Sequence, residues 1–307
     1  MRQTVEFIPK SFYGEEAAAR CRVSVLIPAY NEESAIGSVL DEVMAVTGKL
    51  QHPWEILVID DGSTDATGRI AAERERVRLL RHKENRGYGA ALKHGIRKAQ
   101  GDIIVITDAD ASYPNGEIPR LVETLSDCDM VVGSREGRKV VLPLLRRFPK
   151  WVLGRLANYL SGRKIPDLNS GLRAFRREAC LPFMGIISDG FSFTTTLTLA
   201  MLCNDYEVKF LPVDYYPRKG RSKIRPLQDT LHFFLLILRV CTYFRPLRVF
   251  MPPGALLLTT GILHGLFQLL ASGFAGIGEV PVLLILGGIQ LVFMGLLADL
   301  ISKRPPG

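Results

Sequence analysis

The chain has 307 residues, a formal net charge of +8 and 47% hydrophobic residues. That length fits one large domain or one domain with an appendage, and a basic, apolar-rich chain suits an anionic membrane face. Helix-turn-helix, RNP and zinc-finger signatures are missing, so nucleic acid is not an expected partner, and the five scattered cysteines (Cys21, Cys128, Cys180, Cys203, Cys241) form no Cys-x-x-Cys pair and read as core residues of a reducing compartment.

Residues 1–22 are mixed and polar, lack a cationic stretch followed by an apolar run, and are expected to form an N-terminal arm; the bulk of the chain is expected in the cytoplasm. Val23-Ser-Val-Leu-Ile27 is a first buried strand, expected to stop at Pro28 because proline cannot sit inside a central strand. Asn31 is expected to cap a helix over about 33–46. The second strand, Glu55 to Ile59, ends in Asp60-Asp61-Gly-Ser-Thr-Asp65, where Gly62 relaxes the turn and Ser63 or Thr64 starts the next helix. Val77 to Leu80 is a shorter third strand, and Asn85-Arg-Gly87-Tyr-Gly89 opens a helix over 90–99 that carries Lys93. The fourth strand, Ile103 to Ile106, is an unbroken β-branched run of the kind buried on both faces of a parallel sheet. It runs into Asp108-Ala-Asp110.

Four strand–loop–helix units with polar loops at the strand ends predict an α/β, mostly parallel sheet of nucleotide-binding type. Open sheets of this kind hold ligands at the carboxyl ends of their strands. Two carboxylates there can share a hard divalent cation that grips a diphosphate. Taken alone, the pair is more simply a turn cap and a solvated aspartate; its company decides otherwise. No Gly-x-Gly-x-x-Gly follows the first strand and no Walker A lysine loop occurs, so dinucleotide and P-loop readings lose their support.

The ordered set Ile27-Pro-Ala-Tyr-Asn-Glu32, Val58-Ile-Asp-Asp-Gly-Ser-Thr-Asp65, Asn85-Arg-Gly87 and Gly101-Asp102 leading to Asp108-Ala-Asp110 resembles a family 2 glycosyltransferase of GT-A fold. Further on come Met130 to Arg135, Asp167 to Phe175, Asp189-Gly-Phe-Ser-Phe193 and Tyr216-Pro-Arg218-Lys-Gly220-Arg-Ser222-Lys223. This second set resembles the polyprenyl-phosphate sugar transferases, the dolichyl-phosphate mannose synthase group. One departure is visible: the helix after the Gly-Phe segment begins Thr194-Thr-Thr, without the acid many relatives carry there, and the nearest acid is Asp189.

The resemblance implies a nucleotide-sugar donor, with Pro28, Tyr30, Glu32 and Asp61 around base and ribose and Ile59 lining the base. It implies further donor contacts from Gly87, Lys93 and Ala109. Asp108 and Asp110, with Ser112 in support, would hold Mg²⁺ or Mn²⁺ against the diphosphate. Arg135, Arg218 and Lys223 are expected to meet the leaving group or an acceptor phosphate, with Ser170, Arg173 and Ser222 also near that phosphate. Arg218 and Lys223 bracket a Gly-Ser turn suited to a loop that closes over phosphates.

Residues 138–164 interleave Arg146, Arg147, Lys150, Trp151 and Arg155 with leucines and valines, which suits an amphipathic helix at a phospholipid surface as well as an ordinary solvated face. From 227 the composition turns apolar. An interfacial helix is expected over 227–251, Pro252-Pro253 is expected to break the chain, and residues 252–307 should form a hairpin with spans at about 254–273 and 280–300. Its connection lacks Lys and Arg whereas both flanks carry them, so both ends are expected in the cytoplasm.

Together these readings predict a catalytic GT-A domain over 23–226, interfacial helices and a two-helix transmembrane hairpin. The expected reaction is inverting transfer from a UDP- or GDP-sugar to an undecaprenyl or dolichyl phosphate. Alternatives are a glycan or diacylglycerol acceptor with Asp189 as base, or a non-catalytic scaffold. Membrane lipids and a homo-oligomer, a tetramer by family analogy, are the expected partners.

Overall fold

The computed structural model describes residues 22–137, 147–190, 192–217, 226–271 and 276–302. Its core is a seven-stranded sheet in the order β3-β2-β1-β4-β6-β5-β7. The first half alternates as expected: β1 (Val23–Ala29), α1 (Ile36–Thr47), β2 (Trp54–Asp60), α2 (Thr67–Ala72), β3 (Val77–Arg81), α3 (Tyr88–Lys98) and β4 (Ile103–Ile106). Strands β1 to β4 run parallel, each buried run presenting one set of side chains to each face. Val23, Val25 and Ile27 join α1 and α4 (Ile118–Thr124) on one face. Leu26, Leu57, Ile59, Ile104 and Ile106 join α3 and α6 (Phe193–Cys203) on the other.

Pro28 corrects the sequence reading, because it lies within the central strand β1, paired in register with Ile59 of β2. The β1–β4 ladder ends two residues earlier, at Leu26 opposite Ile106. Leu26 presents its carbonyl to the β4 side, where the Thr107 N–H donates to it, so Pro28, two residues on, turns its missing donor to that same side. The ladder is already open there, and no hydrogen bond is lost. β1 and β4 thus part at their strand ends, the place where open α/β sheets take ligands.

The second half is less regular. β5 (Met130–Ser134) is followed by α5 (Arg147–Ser161), and then β6 (Arg173–Arg176) enters the sheet antiparallel between β4 and β5. β7 (Val208–Pro212) pairs parallel with β5 and closes the edge. Buried Ala157 and Leu160 of α5 pack with α6 and α7 (Pro226–Phe244), so this face of α5 is core.

α8 (Pro246–Ala271) and α9 (Glu279–Ser302) are long and apolar enough to cross a membrane, and only 17% of each apolar window is buried within the chain. Their contact line is small: Gly254, Gly261 and Gly265 face Pro281, Gly288 and Gly295, all buried. A Cβ on Gly288 would stand 2.6 Å from the Leu258 side chain and 2.9 Å from the Gly254 carbonyl, the backbone-to-backbone approach that holds helices together in lipid. Pro252 and Pro253 do not break the chain; they lie inside α8. The helix starts at Pro246, so the pair falls in its second turn, and its missing N–H groups forgo bonds there while the rest of α8 packs on α9.

Candidate active site

The loops after β1 and β2 are stitched into one rim. Asn31 adopts a left-handed φ of 55°, and its side-chain carbonyl accepts the Thr64 N–H at 2.9 Å. It is therefore no helix cap, and α1 starts only at Ile36. The Asn31 N–H donates to Ser63 Oγ at 3.0 Å and the Glu32 N–H to Thr67 Oγ1 at 2.8 Å. Because Ser63 and Thr64 are committed to this rim, α2 begins at Thr67. Pro28 and Glu32 are buried and Tyr30 is half-buried just past β1. Ile59 is fully buried against Gly95 of α3, so its side chain belongs to the core and not to the site.

Asp61 ties this rim to the third loop. Its carboxylate accepts the Arg86 N–H at 2.9 Å and the Gly87 N–H at 2.8 Å, and stands 2.7 Å from His82 Nδ1. Gly87 has φ of 98°, and a Cβ there would press on the Asp189 carbonyl at 2.8 Å. That approach lets the carbonyls of Asp189 and Gly190 cap the start of α3, accepting the Ala90 and Gly89 N–H groups at 2.8 and 3.1 Å. Lys93, on the first turns of the same helix, reaches the Asp189 carboxylate at 2.7 Å. Two residues predicted for different roles are thus one ion pair.

At the end of β4, Asp108 Oδ1 accepts the Tyr88 hydroxyl at 3.0 Å. Gly171 backs the same carboxylate so closely that a Cβ would lie 2.5 Å from Oδ2. Asp110 is 7% exposed and accepts the Ser112 N–H at 3.0 Å. Between them Ala109 is buried, and Ala111 takes a left-handed φ of 58°, a backbone conformation that costs energy and clusters at functional sites. Ser112 Oγ is buried without a hydrogen-bond partner. Two carboxylates and an orphaned hydroxyl form an oxygen donor set that fits a hard divalent cation, with remaining positions left to a diphosphate and water. No cluster of three or more His, Cys, Asp or Glu side chains capable of holding a metal occurs among the described residues.

Arg135, just past β5, forms a bidentate pair with Asp167 at 2.6 and 2.8 Å and stacks its guanidinium over Tyr215 at 5.2 Å. Burial alone would lower its pKa, but the pairing with Asp167 overrides this and raises it. A guanidinium has five donors, so this pair leaves others for an anion. Tyr113 lies edge-on to Tyr215 and accepts the Gly171 N–H at 2.8 Å. Arg173 and Ser170 correct the sequence reading. Arg173 is fully buried, its two terminal nitrogens donating to the Ser170 and Thr194 carbonyls and to Thr198 Oγ1. Ser170 is equally buried, donating to the Gly133 carbonyl at 2.5 Å. Neither side chain reaches an acceptor phosphate. Burial also lowers the Arg173 pKa, the shift expected of a desolvated cation.

Arg218, Ser222 and Lys223 lie outside the described residues, as do Arg146 and the rest of 138–146. The structure adds Tyr88, His82, Asp167, Tyr113, Tyr215 and Gly171 to the site. Tyr88 lies within the Asn85–Gly89 segment and Asp167 begins the Asp167–Phe175 segment, but no local pattern says which carboxylate or arginine either would meet.

Residues 24–181, just over half the chain, match the model of glycosyl transferase family 2, and residues 245–303 match that of the GtrB C-terminal hairpin. The undecaprenyl-phosphate 4-deoxy-4-formamido-L-arabinose transferase of Pseudomonas fluorescens (strain Pf0-1) is 31% identical over 304 residues, covering 92% of this chain and 85% of that protein. A low-salt glycan biosynthesis hexosyltransferase of Haloferax volcanii is 32% identical over 213 residues, 67% of this chain; the match spans 51% of that protein. Glucosyl-3-phosphoglycerate synthase from Mycobacterium tuberculosis, solved with Mn²⁺, UDP-glucose and phosphoglyceric acid, shares the fold with a TM-score of 0.57 at 23% identity over 74% of this chain and 82% of that one. Paired aspartates at the end of a parallel strand, within a family match that spans residues 24–181, leave one conclusion: the chain belongs to glycosyl transferase family 2 and is a glycosyltransferase.

Proposed function

We propose that the protein transfers a sugar from a UDP- or GDP-sugar to a polyprenyl phosphate at the cytoplasmic membrane face, with inversion at the anomeric carbon. The observation that carries the choice of acceptor is the Lys93–Asp189 pair at 2.7 Å. Asp189 is the acid nearest the start of α6, and its carboxylate is already occupied by the Lys93 ammonium. A sugar hydroxyl needs a base, whereas a phosphate monoester, with a second pKa of about 6, is already a nucleophile near neutrality. The two long apolar helices and the undecaprenyl-phosphate transferase among the relatives support the same acceptor.

In this reading a lipid phosphate oxygen bonds to C1 as the bond from C1 to the diphosphate breaks, and the nucleoside diphosphate departs. Asp61 and the β1 loop orient the nucleoside. Asp108 and Asp110, with Ser112 Oγ, would hold Mg²⁺ or Mn²⁺. Such a cation, when bound, neutralises charge growing on the leaving diphosphate. Arg135, fixed by Asp167 and Tyr215, offers its remaining donors to a phosphate. Arg218 and Lys223 are retained as further phosphate contacts. The hairpin would enter from the cytoplasm and return there, and copies would associate through it.

The test is transfer from radiolabelled UDP- and GDP-sugars to undecaprenyl phosphate with Mn²⁺ or EDTA. A chloroform-soluble product that disappears with EDTA and in Asp110→Asn is the expected outcome. If no donor yields lipid product while nucleotide binding stays metal-dependent, the acceptor is a glycan or diacylglycerol instead.

A further inference from the structure

We propose that Tyr215 is a positioning residue for Arg135 and that Tyr113 ties its ring to the loop carrying Asp108, Asp110 and Ser112, so that the guanidinium meets the acceptor phosphate at a set place beside that loop. The inference rests on the reading above that Arg135 contacts a phosphate. The sheet puts these groups along one edge. β4 and β5 both run antiparallel to β6 between them, and β7 runs parallel to β5, so the segments after β4, β5 and β7 leave on the same side. Asp61 follows β2, two strands from β4 on the flank away from β5 and Arg135. A nucleotide reaching from Asp61 to the paired aspartates therefore leaves Arg135 to the acceptor.

Arg135 is held by edge and by face. Its backbone N–H and Nε both donate to Asp167 Oδ2, at 3.1 and 2.6 Å, and Nη2 donates to Oδ1 at 2.8 Å. These bonds fix one edge of a planar group and leave Nη1 for a ligand. Edge bonds alone let the plane tilt about the line joining the two partners. Tyr215 opposes that tilt, because the guanidinium lies over its ring at 5.2 Å, where a cation is attracted to the π-face.

Two contacts tie the Tyr215 ring to the loop after β4. The N–H of its chain neighbour Tyr216 donates to the Ser112 carbonyl at 2.9 Å. The Tyr113 ring meets Tyr215 edge to face, at 67° with centroids 5.2 Å apart, an attractive arrangement for two aromatic quadrupoles. Tyr113 is itself buried, and its hydroxyl oxygen accepts the N–H of Gly171 at 2.8 Å, the glycine that backs Asp108. Loop, rings and guanidinium are thus in continuous contact, and a shift of the Tyr215 ring is a shift of the face on which Arg135 rests.

The experiment uses the full chain in detergent micelles and reads binding of farnesyl phosphate in EDTA, with farnesol as the control for the tail. Binding of UDP and GDP with Mn²⁺ and steady-state transfer are read alongside. Tyr215→Leu should weaken farnesyl phosphate about 10-fold, the scale of one partly desolvated cation–π contact, and leave farnesol, UDP and GDP unchanged. Tyr215→Phe keeps the ring and should match wild type. In transfer, Tyr215→Leu should raise the KM for undecaprenyl phosphate by about the same factor while the donor KM holds. Tyr113→Leu withdraws support from the same ring, so it should also weaken farnesyl phosphate, and the double variant should lose no more than Tyr215→Leu alone. If Tyr215→Leu loses its melting transition, Tyr113→Leu carries the same test. Unchanged farnesyl phosphate affinity in a folded Tyr215→Leu, an equal loss in Tyr215→Phe, or a loss shared by UDP and GDP overturns the positioning role. Arg135→Gln separates the two levels: if it binds farnesyl phosphate as tightly as wild type, the reading of Arg135 as a phosphate contact fails, whatever the tyrosines do.

Discussion

Asp108 is held from two sides, by a hydroxyl and by a glycine that leaves it room. Burial first and the Asp108 charge next raise the Tyr88 pKa well above its ordinary value, so the hydroxyl remains a donor across the physiological range. Partners behind a metal ligand typically set affinity by a factor of 10–100. Tyr88→Phe should accordingly weaken Mn²⁺ binding by about 10-fold or more, read by electron paramagnetic resonance of free Mn²⁺; unchanged affinity would detach Tyr88 from the cation site. Gly171→Ala places a methyl 2.5 Å from Asp108 Oδ2, and the carboxylate must move. A displacement of that order costs about 10²-fold in turnover, which steady-state transfer assays can measure. Arg173→Met belongs to another class. It strands the buried carbonyls of Ser170 and Thr194, and we expect about 3 kcal/mol of lost stability, seen as a lowered melting temperature before any change in nucleotide affinity.

Elements meet through glycines. At the start of α3, a Cβ on Gly89 would collide with the Ser188 carbonyl, so the 188–190 turn can cap the helix and bring Asp189 to Lys93. In the hairpin, buried glycines let α8 and α9 approach along their whole contact line. Gly288→Leu should force the helices apart and cost about 2 kcal/mol, as overpacking does. The check is a crosslink between Leu257→Cys and Gly287→Cys, since a Cβ on Gly287 would stand 3.7 Å from Leu257 Cδ1. It should form readily in the parent and poorly beside Gly288→Leu.

Across the whole molecule, two arginines join the catalytic domain to the hairpin. Arg245 donates to the Cys203 and Ser161 carbonyls at 3.0 and 3.1 Å and pairs with Asp205 at 2.7 Å. Arg248 donates to the Tyr159 carbonyl at 3.3 Å. Cations at the end of α5 satisfy its last carbonyls and oppose its dipole, and they hold the site at a set distance from the spans. If the hairpin returns to the cytoplasm, a membrane-impermeant maleimide applied to intact cells carrying Cys21→Ser should label Gly276→Cys in the connection. Gly116→Cys, at an open surface of the catalytic domain, should react only after permeabilisation. The reverse pattern would invert the proposed orientation.

The first four strands along the chain, the polar loops at their ends and the two apolar helices were all legible in the sequence. Each is a local pattern: β-branched runs, punctuating loops and uninterrupted hydrophobicity act over a few neighbouring residues. β6 was hidden because Arg-Ala-Phe-Arg carries no apolar run; its burial comes from lying between β4 and β5. Tertiary structure alone decided that Lys93 meets Asp189, 96 residues away in sequence, that Arg173 is interior while Arg135 stays at the site, and that Pro28 can occupy a central strand. These outcomes depend on which partner the fold delivers to a side chain, and a charge or a missing N–H has no fixed meaning until that partner is in place.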